Sequence, residues 1–268
     1  MADIMTLKQR AYEFIQGKLL TGEWTGGNLI SEHAVAEQVG ISRTPVREAI
    51  HQLELEGFLE RVPRYGTLVR APDHEEIREL FDLREALETY AAAEAASYLL
   101  PTDREMLQAL LAEMQTVARE MREQNQDFLD ENGLRRFLTA DIGFHMTLMR
   151  SANNRRFMKI LADFRVLQRI FGYHRVRHGV DIVEEACRQH DEILGAICQG
   201  DAEQVRVAVT KHIRASKAHS LDALDVRATH RGTAEENLPP LPADLLRDIR
   251  ELSGVKNGSR PAAVVGTK

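Results

Sequence analysis

The stretch from residue 30 to residue 69, ISEHAVAEQVGISRTPVREAIHQLELEGFLERVPRYGTLV, constrains the fold more than any other part of the chain. Ser31 is placed to cap a short helix, and Gly40 to end it, since glycine readily takes the left-handed conformation that closes a helix. Ser42 is placed to cap a second helix with Pro45 in its first turn, where amides have no intrahelical partner. Apolar residues recur at helical spacing: Ala34, Val35, Val39, Val46, Ala49, Ile50 and Leu53. The pattern predicts a helix-turn-helix.

The second helix of this motif carries residue types that contact DNA. Arg43 and Arg47 are four residues apart, so they share the face opposite the apolar one. The hydroxyls of Ser42 and Thr44, with the first-turn amides, suit phosphate oxygens, and an arginine fork can bind O6 and N7 of guanine. The alternative is that these arginines are solvated charges that pair with a nearby glutamate. The ordered set, followed by a hairpin, favours a recognition helix.

The hairpin is predicted from two short strands, 58–62 and 67–70, with the residues PRYG at its tip. A wing of this kind reaches the backbone or the minor groove of DNA, which predicts Arg64 and Gly66 at the interface. A helix over about residues 5–20 has apolar residues at helical spacing and is expected to support the motif from behind. Together these elements predict a winged helix-turn-helix.

Composition limits the other classes of protein that need consideration. The 268 residues are enough for two domains with separate cores. The net charge is −6, and residues 1–72 hold eight Lys and Arg against nine Asp and Glu, a net charge of −1. Non-specific DNA binding should therefore be weak. Two cysteines, no signal peptide and no long apolar run indicate a cytoplasmic protein without a membrane span.

The rest of the chain has almost no strand signal. We predict a DNA-binding domain over residues 1–70, a linker over 71–73, an all-helical domain over 74–225 and a disordered tail over 226–268. Within the tail, 243–252 has the amphipathicity of a short helix. The predicted fold is mostly α, with an antiparallel bundle of about six helices: 75–99, 103–125, 131–151, 154–173, 181–199 and 201–224.

One aspartate and three histidines in the predicted bundle form a candidate metal site. Asp141 and His145 are at positions i and i+4 of one helix, while His190 and His212 belong to the last two helices. Such a ligand set suits zinc first, with nickel or manganese as alternatives. The alternative reading is that each histidine is a hydrogen-bonded core residue, which is the commoner role of a single histidine on an apolar helix face.

The string ISRTPVREAIHQLELEGFLER resembles the signature of GntR-type bacterial transcription regulators. The strings DIGFHMTL and QHDEILGAICQGDAEQVRVAVTKHI resemble the FCD effector domain of the FadR branch, and the count of six helices resembles its VanR-like subgroup. The resemblance covers about residues 5–224. It implies DNA contacts at Arg43, Thr44, Arg47 and Gly66, and metal ligands at Asp141, His145, His190 and His212.

Three residues are candidates for binding an effector. Arg84 falls on the apolar stripe of the first bundle helix, and a buried arginine needs an anion. That anion is either Glu88 at i+4 or the carboxylate of a ligand, and the resemblance places an effector-contacting arginine in the segment LREALE. Asn154 and Arg169 are further candidates, with a helix cap and a surface charge as their alternative roles.

These observations predict a homodimeric repressor that binds a pseudo-palindromic operator and responds to a small carboxylate-bearing metabolite held at the metal. Two alternatives stay open. The first is a metal-dependent phosphohydrolase of the HD type, because His190 and Asp191 form an HD pair and His145 is a further histidine. The second is a pure metal sensor, in which the cation itself is the signal.

Overall fold

The computed structural model describes residues 5–20, 23–71, 73–152 and 178–229. The amino-terminal part begins with α1 (Leu7–Leu20), β1 (Leu29–Ile30), α2 (Glu32–Val39) and α3 (Arg43–Leu55). The strands β2 (Leu59–Val62) and β3 (Gly66–Val69) complete it. The described part of the bundle consists of α4 (His74–Tyr98), α5 (Pro101–Glu123), α6 (Glu131–Ser151), α7 (Val180–Gln199) and α8 (Ala202–Thr229).

The two helices of the helix-turn-helix begin and end largely at the residues that the sequence predicted. The Ser31 side chain accepts a hydrogen bond from the Ala34 amide at 3.3 Å, and Gly40 closes α2 in the left-handed conformation at φ 71°. Ser42 occupies the N-cap position of α3, but its side chain makes no capping hydrogen bond. The prediction that its hydroxyl caps this helix is therefore wrong, and the hydroxyl stays exposed at the helix end.

The wing belongs to a three-stranded antiparallel sheet in the order β1-β3-β2. In the hairpin, Leu59 pairs with Val69 and Val62 pairs with Gly66. The strand β1 was not predicted, because two residues, Leu29 and Ile30, are too short to show an alternating pattern. It pairs with β3 and so ties the wing to the chain that enters α2.

The bundle helices are antiparallel, as their ion pairs show. Along α4, His74, Asp82 and Glu85 pair with partners at falling positions on α8, namely Asp225, Lys217 and Arg214. Similar reversed pairings join α5 to α6 and α7 to α8. The predicted helix over 154–173 and the segment 243–252 lie outside the described residues, and α8 continues to Thr229, five residues beyond its predicted end.

Local signals explain where α4 begins and how it packs. Asp73 and Glu76 form a capping box, in which the Asp73 side chain accepts from the Glu76 amide at 2.9 Å. Ile77 and Phe81 then pack into the apolar core, and the same helix face continues with two buried charged residues, Arg84 and Glu88. The first bundle helix therefore carries ionic groups into the interior. No helix of the described chain is long and apolar enough to cross a membrane.

Candidate metal centre and nucleic-acid interface

The exposed face of α3 holds the residues predicted to contact DNA. Ser42, Arg43, Thr44 and Arg47 are all exposed, while the opposite face of the helix is buried in the core of the amino-terminal domain. The side chains of Arg43 and Arg47 are 61% and 60% exposed. Two guanidinium groups and two hydroxyls thus face outward from the first turns of one helix, where a phosphate or a base edge can reach them.

Both arginines also contact Glu32, at the start of α2. The Glu32 carboxylate accepts hydrogen bonds from Arg47 Nε at 3.0 Å, Arg47 Nη2 at 2.9 Å and Arg43 Nη2 at 3.1 Å. The hydrogen bond from Arg47 is the main reason why the pKa of Glu32 lies below its ordinary value. The alternative role weighed for these arginines, pairing with a glutamate, therefore occurs in the structure, and it orients them without covering them.

The wing tip is built from backbone conformations that few residues adopt. Arg64 has a positive φ of 70° and Gly66 a φ of 110°. A Cβ atom at Gly66 would lie 3.1 Å from Leu29 Cδ1, so a larger residue would be both strained and crowded. The turn leaves Arg64 and Tyr65 exposed at the tip. Sequence reasoning named this tip correctly, and the structure brings Arg64 and Gly66 together there.

The four candidate metal ligands meet in the interior of the bundle. Asp141 and His145 come from α6, His190 from α7 and His212 from α8. One ligand atom from each residue lies within 4.8 Å of the others, and the three histidines are at most 3% exposed. This arrangement matches the predicted proximity, although the four residues are separated by up to 71 positions in the sequence.

Each histidine of the cluster has its Nδ1 atom next to an acceptor. His190 Nδ1 donates to the carbonyl oxygen of Ala186 at 2.7 Å, and His212 Nδ1 donates to Gln189 Oε1 at 2.9 Å. His145 Nδ1 lies 2.6 Å from Glu88 Oε2. Because a carbonyl or amide oxygen accepts, the contacts of His190 and His212 place the proton on Nδ1 and leave the lone pair on Nε2.

The Nε2 atoms converge on one another and on Asp141. His145 Nε2 lies 3.1 Å from His212 Nε2, and Asp141 Oδ1 lies 3.3 Å from His190 Nε2 and 3.8 Å from His145 Nε2. Lone pairs at such distances repel unless a proton or a cation lies between them. Tetrahedral zinc with bonds of about 2.1 Å holds its ligand atoms about 3.4 Å apart, so the donor set fits this metal.

The electrostatic surroundings of His212 and Asp141 favour the protonation states in which these side chains bind a cation. Burial, together with the neighbouring histidines and Arg84, lowers the pKa of His212 well below its ordinary value and keeps the ring neutral. Burial alone would raise the pKa of Asp141, but the three imidazoles hold it well below its usual range. His212 therefore offers a neutral imidazole and Asp141 an ionised carboxylate, which are the protonation states that metal binding requires of these two residue types.

Arg84 lies beside this cluster and pairs with Glu88, one of the two partners predicted for it. It forms a buried ion pair with Glu88, and its Nη2 atom lies 3.2 Å from His145 Nε2. The arginine also borders a cavity of about 80 Å³ that Asp141 and His212 line as well. The structure thus contains the pairing with Glu88 and, in addition, a guanidinium group at the wall of an internal cavity.

Two residues next to the cluster, Glu88 and Gln189, were not recognised in the sequence as neighbours of the candidate metal ligands. The sequence predicted Glu88 only as an ion-pair partner for Arg84, yet it also contacts His145. Gln189 orients His212, and its own amide donates to Glu185 Oε1 at 2.5 Å. Their positions in the sequence could have indicated this role, because Gln189 immediately precedes His190 and Glu88 lies one helical turn after Arg84.

Other candidates lie away from the cluster or outside the described residues. Asn154 and Arg169 fall outside them, so the structure gives no placement for these two predicted effector contacts. Cys187 is buried, and burial raises the pKa of its thiol to about 12, which disfavours a metal-binding thiolate. Cys198, near the end of α7, is exposed.

Comparison with models of protein families assigns a family to the amino-terminal domain and to the helical bundle. The model of the bacterial regulatory proteins of the gntR family matches residues 7–69, and the model of the FCD domain matches residues 79–215. The chain belongs to the GntR family. Its amino-terminal domain is the winged helix-turn-helix of that family, and its helical bundle is an FCD domain.

The curated relatives are transcription regulators, and their similarity to this chain extends over most of their length. An HTH-type transcriptional regulator of Streptomyces ambofaciens is 31% identical over 219 residues, covering 78% of this chain and 83% of the relative. The HTH-type transcriptional repressor RspR of Escherichia coli K12 is 26% identical over 208 residues, covering 78% and 86%. This GntR-family chain is therefore a DNA-binding transcription regulator.

Solved structures share the fold at lower identity. Escherichia coli McbR/YncC matches with a TM-score of 0.65 and 20% identity, covering 82% of this chain and all of that one. The Listeria monocytogenes protein Lar matches with a TM-score of 0.54 and 21% identity, covering 82% and 99%. The phosphohydrolase alternative is wrong, because the family is one of regulators, and Asp191 of the HD pair is exposed outside the cluster.

Proposed function

We propose that this regulator is a repressor whose FCD domain binds one divalent metal and a small carboxylate effector, and that the effector alters binding to the operator. The metal ligands in this proposal are Asp141, His145, His190 and His212. Zinc is the favoured metal, with nickel or manganese as alternatives. When bound, the metal supplies a positive charge in the interior of the bundle that attracts an anionic ligand.

A single observation carries the proposal: three histidines, each with an acceptor near Nδ1, bring their Nε2 atoms to one place, where two of them face the Asp141 carboxylate and the third faces His145. A core histidine needs only its own hydrogen bonds, and it gains nothing from facing two other lone pairs. In metal sites, by contrast, the second ring nitrogen of a ligating histidine almost always donates to an outer acceptor. The acceptors Ala186, Gln189 and Glu88 fit that outer role.

The effector part of the proposal depends on Arg84. Its guanidinium group is 3% exposed, lies at the cavity wall and has Glu88 as its ionic partner. A ligand carboxylate in the cavity would therefore meet a fixed cation on one side, and on the other side it would reach the metal as a fifth or sixth ligand, since the four protein ligands fill a tetrahedral shell. Asn154 and Arg169 remain candidate effector contacts in the proposal. The effector must bind one arrangement of the two DNA-binding domains better than another, since only differential affinity shifts such an equilibrium.

For the DNA we propose contacts from the recognition helix and the wing tip, in two subunits of a homodimer bound to a pseudo-palindrome. The contributing residues are Ser42, Arg43, Thr44, Arg47, Arg64 and Gly66. Because residues 1–72 carry a net charge of only −1, one copy should bind DNA weakly, and two copies supply the affinity. This role places the protein in the cytoplasm with its operator.

Metal content tests the proposal directly. The purified wild-type protein should contain about one divalent metal per chain by elemental analysis, and His190→Ala should lose it. His219→Ala is the matched control, since His219 lines the cavity but does not belong to the cluster. A metal-free wild type, or full metal content in His190→Ala, contradicts the proposal. Regulation of DNA binding by the metal alone, without any organic acid, would favour the pure metal sensor.

A further inference from the structure

Glu32, at the start of α2, contacts the recognition helix without belonging to it. We propose that Glu32 is a positioning residue that determines the sequence specificity of DNA binding, by fixing Arg47 with one edge of its guanidinium group available to a base. This role rests on the DNA contacts proposed for α3. Glu32 itself does not touch the DNA in this proposal, and it acts through the arginines that do.

The helix-turn-helix brings Glu32 next to Arg43 and Arg47, which lie 11 and 15 positions further along the chain. Ser31 caps α2, so Glu32 occupies its first turn, where the helix dipole favours a negative side chain. The left-handed residue Gly40 then redirects the chain into α3. The Glu32 side chain is 19% exposed, against 61% and 60% for the two arginines. The guanidinium groups are therefore open to a partner, while the carboxylate that holds them is mostly covered.

Arg47 uses only one edge of its guanidinium group in this contact. Its Nε and Nη2 atoms donate to the two carboxylate oxygens of Glu32 at 3.0 and 2.9 Å, which is a side-on bidentate pair. The group is planar and has five N–H donors, so the end-on edge of Nη1 and Nη2 holds two further parallel N–H groups. O6 and N7 of guanine accept such a pair of donors in the major groove. The pair with Glu32 thus fixes the arginine and does not use the edge that can bind a base.

The same carboxylate also accepts a single hydrogen bond from Arg43 Nη2, at 3.1 Å. One negative charge therefore lies beside two positive charges. Non-specific binding depends on attraction to phosphates, and a fixed carboxylate weakens that attraction on any sequence. Binding to a base depends on geometry, and an arginine that is ordered beforehand loses less conformational freedom when it meets guanine. Both effects widen the difference in affinity between a matching and a non-matching duplex, and specificity is that difference.

Two substitutions at Glu32 separate its charge from its geometry. Glu32→Gln removes the charge, whereas Glu32→Asp keeps the charge and shortens the side chain by one methylene group. The full-length wild-type protein first selects duplexes from a library with a randomised segment. Anisotropy titrations then give the affinity of each variant for a selected duplex and for a shuffled duplex of the same composition.

We expect the ratio of these two affinities to fall at least about fivefold in both variants, which is the lower end of the discrimination supplied by one bidentate contact to a base. Affinity for the shuffled duplex should rise severalfold in Glu32→Gln and stay near the wild-type value in Glu32→Asp. Glu37→Gln is the matched control, because it removes one negative charge from an exposed position of the same helix and should keep the wild-type ratio. Thermal unfolding verifies that each variant is folded.

Repeating the selection with each variant tests whether Glu32 acts through Arg47. Arg47→Ala and both Glu32 variants should lose preference at the same base pair. If both Glu32 variants keep the wild-type ratio while Arg47→Ala loses it, the role of Glu32 is refuted and the proposed contact of Arg47 stands. A ratio that falls in Glu32→Gln but not in Glu32→Asp also refutes the role, because charge rather than position would set the preference. If the wild type enriches no sequence, or Arg47→Ala keeps the full preference, the proposed contacts of α3 fail, and the role of Glu32 fails with them.

Discussion

Replacing Gln189 by leucine should weaken metal binding without touching a ligand. Gln189 Oε1 accepts the proton of His212 Nδ1 at 2.9 Å, and both residues are at most 3% exposed. Leucine has a similar size but offers no acceptor, so His212 loses the contact that fixes its tautomer and ring orientation. Outer contacts of this kind change metal affinity by about 10–100-fold when they are removed.

The expected size of the effect follows from this factor. A loss of about 10–100-fold in affinity corresponds to about 1.4–2.7 kcal/mol less stabilisation by zinc once the metal is in excess. For a chain of this size, about 1 kcal/mol corresponds to about 2–4 °C in melting temperature. The rise in melting temperature on adding zinc should therefore be about 3–10 °C smaller in Gln189→Leu than in the wild type.

Two assays measure this prediction. Competition with a chromophoric zinc chelator gives the affinity, and thermal unfolding with and without zinc gives the stabilisation. Gln204→Leu, the same substitution at an exposed position of α8, is the control and should behave as the wild type. A zinc affinity for Gln189→Leu within twofold of the wild type, in a protein that folds normally, would refute the role assigned to this hydrogen bond.

Three further predictions concern the amino-terminal domain. Arg47→Ala should weaken binding to duplex DNA and, if Arg47 contacts a phosphate, reduce the slope of log affinity against log salt by about one. Anisotropy titrations at several salt concentrations measure both quantities. An unchanged affinity and slope would contradict the prediction. Glu32→Gln should raise the affinity for non-specific duplex severalfold, because it removes the carboxylate that Arg43 and Arg47 share; weaker binding in the same titration would instead show that Glu32 orients them productively. Gly40→Ala should lower stability by about 1 kcal/mol, because the left-handed backbone at φ 71° strains an L side chain although nothing lies within 4 Å of the added Cβ; an unchanged urea midpoint would count against this.

Helix boundaries were the part of the fold that the sequence predicted best. The predicted helix over 131–151 has those bounds in the structure, since Asp130 caps its start by accepting from the Gly133 amide at 2.7 Å. Gly200 likewise ends α7, at the boundary predicted between the helices 181–199 and 201–224. Local signals of this kind are complete in a few neighbouring residues, so one sequence is enough to interpret them.

The outer residues of the cluster were missed for a physical reason. A glutamate or a glutamine in a helix usually faces solvent, and no local pattern marks the rare one that turns inward. Glu88 is fully buried because Arg84 and His145 surround it, and His145 lies 57 positions further along the chain. Only the packing of α4 against α6 reveals the contact. The four candidate ligands were named together because the resemblance to a family added information that spacing alone lacks.

The helix α4 joins the two functional regions within one subunit. Its amino end is tied to the wing by the ion pair between Arg70, which follows β3, and Glu76 of the capping box. Two turns after Glu76 the same helix carries Arg84, and one turn further it carries Glu88; both contact His145 of the cluster. A ligand that competes with Glu88 for Arg84 would change the ionic contacts of α4, the helix whose amino end pairs with the wing. Under the proposed function, a shift of α4 would couple the effector site to the position of the recognition helix.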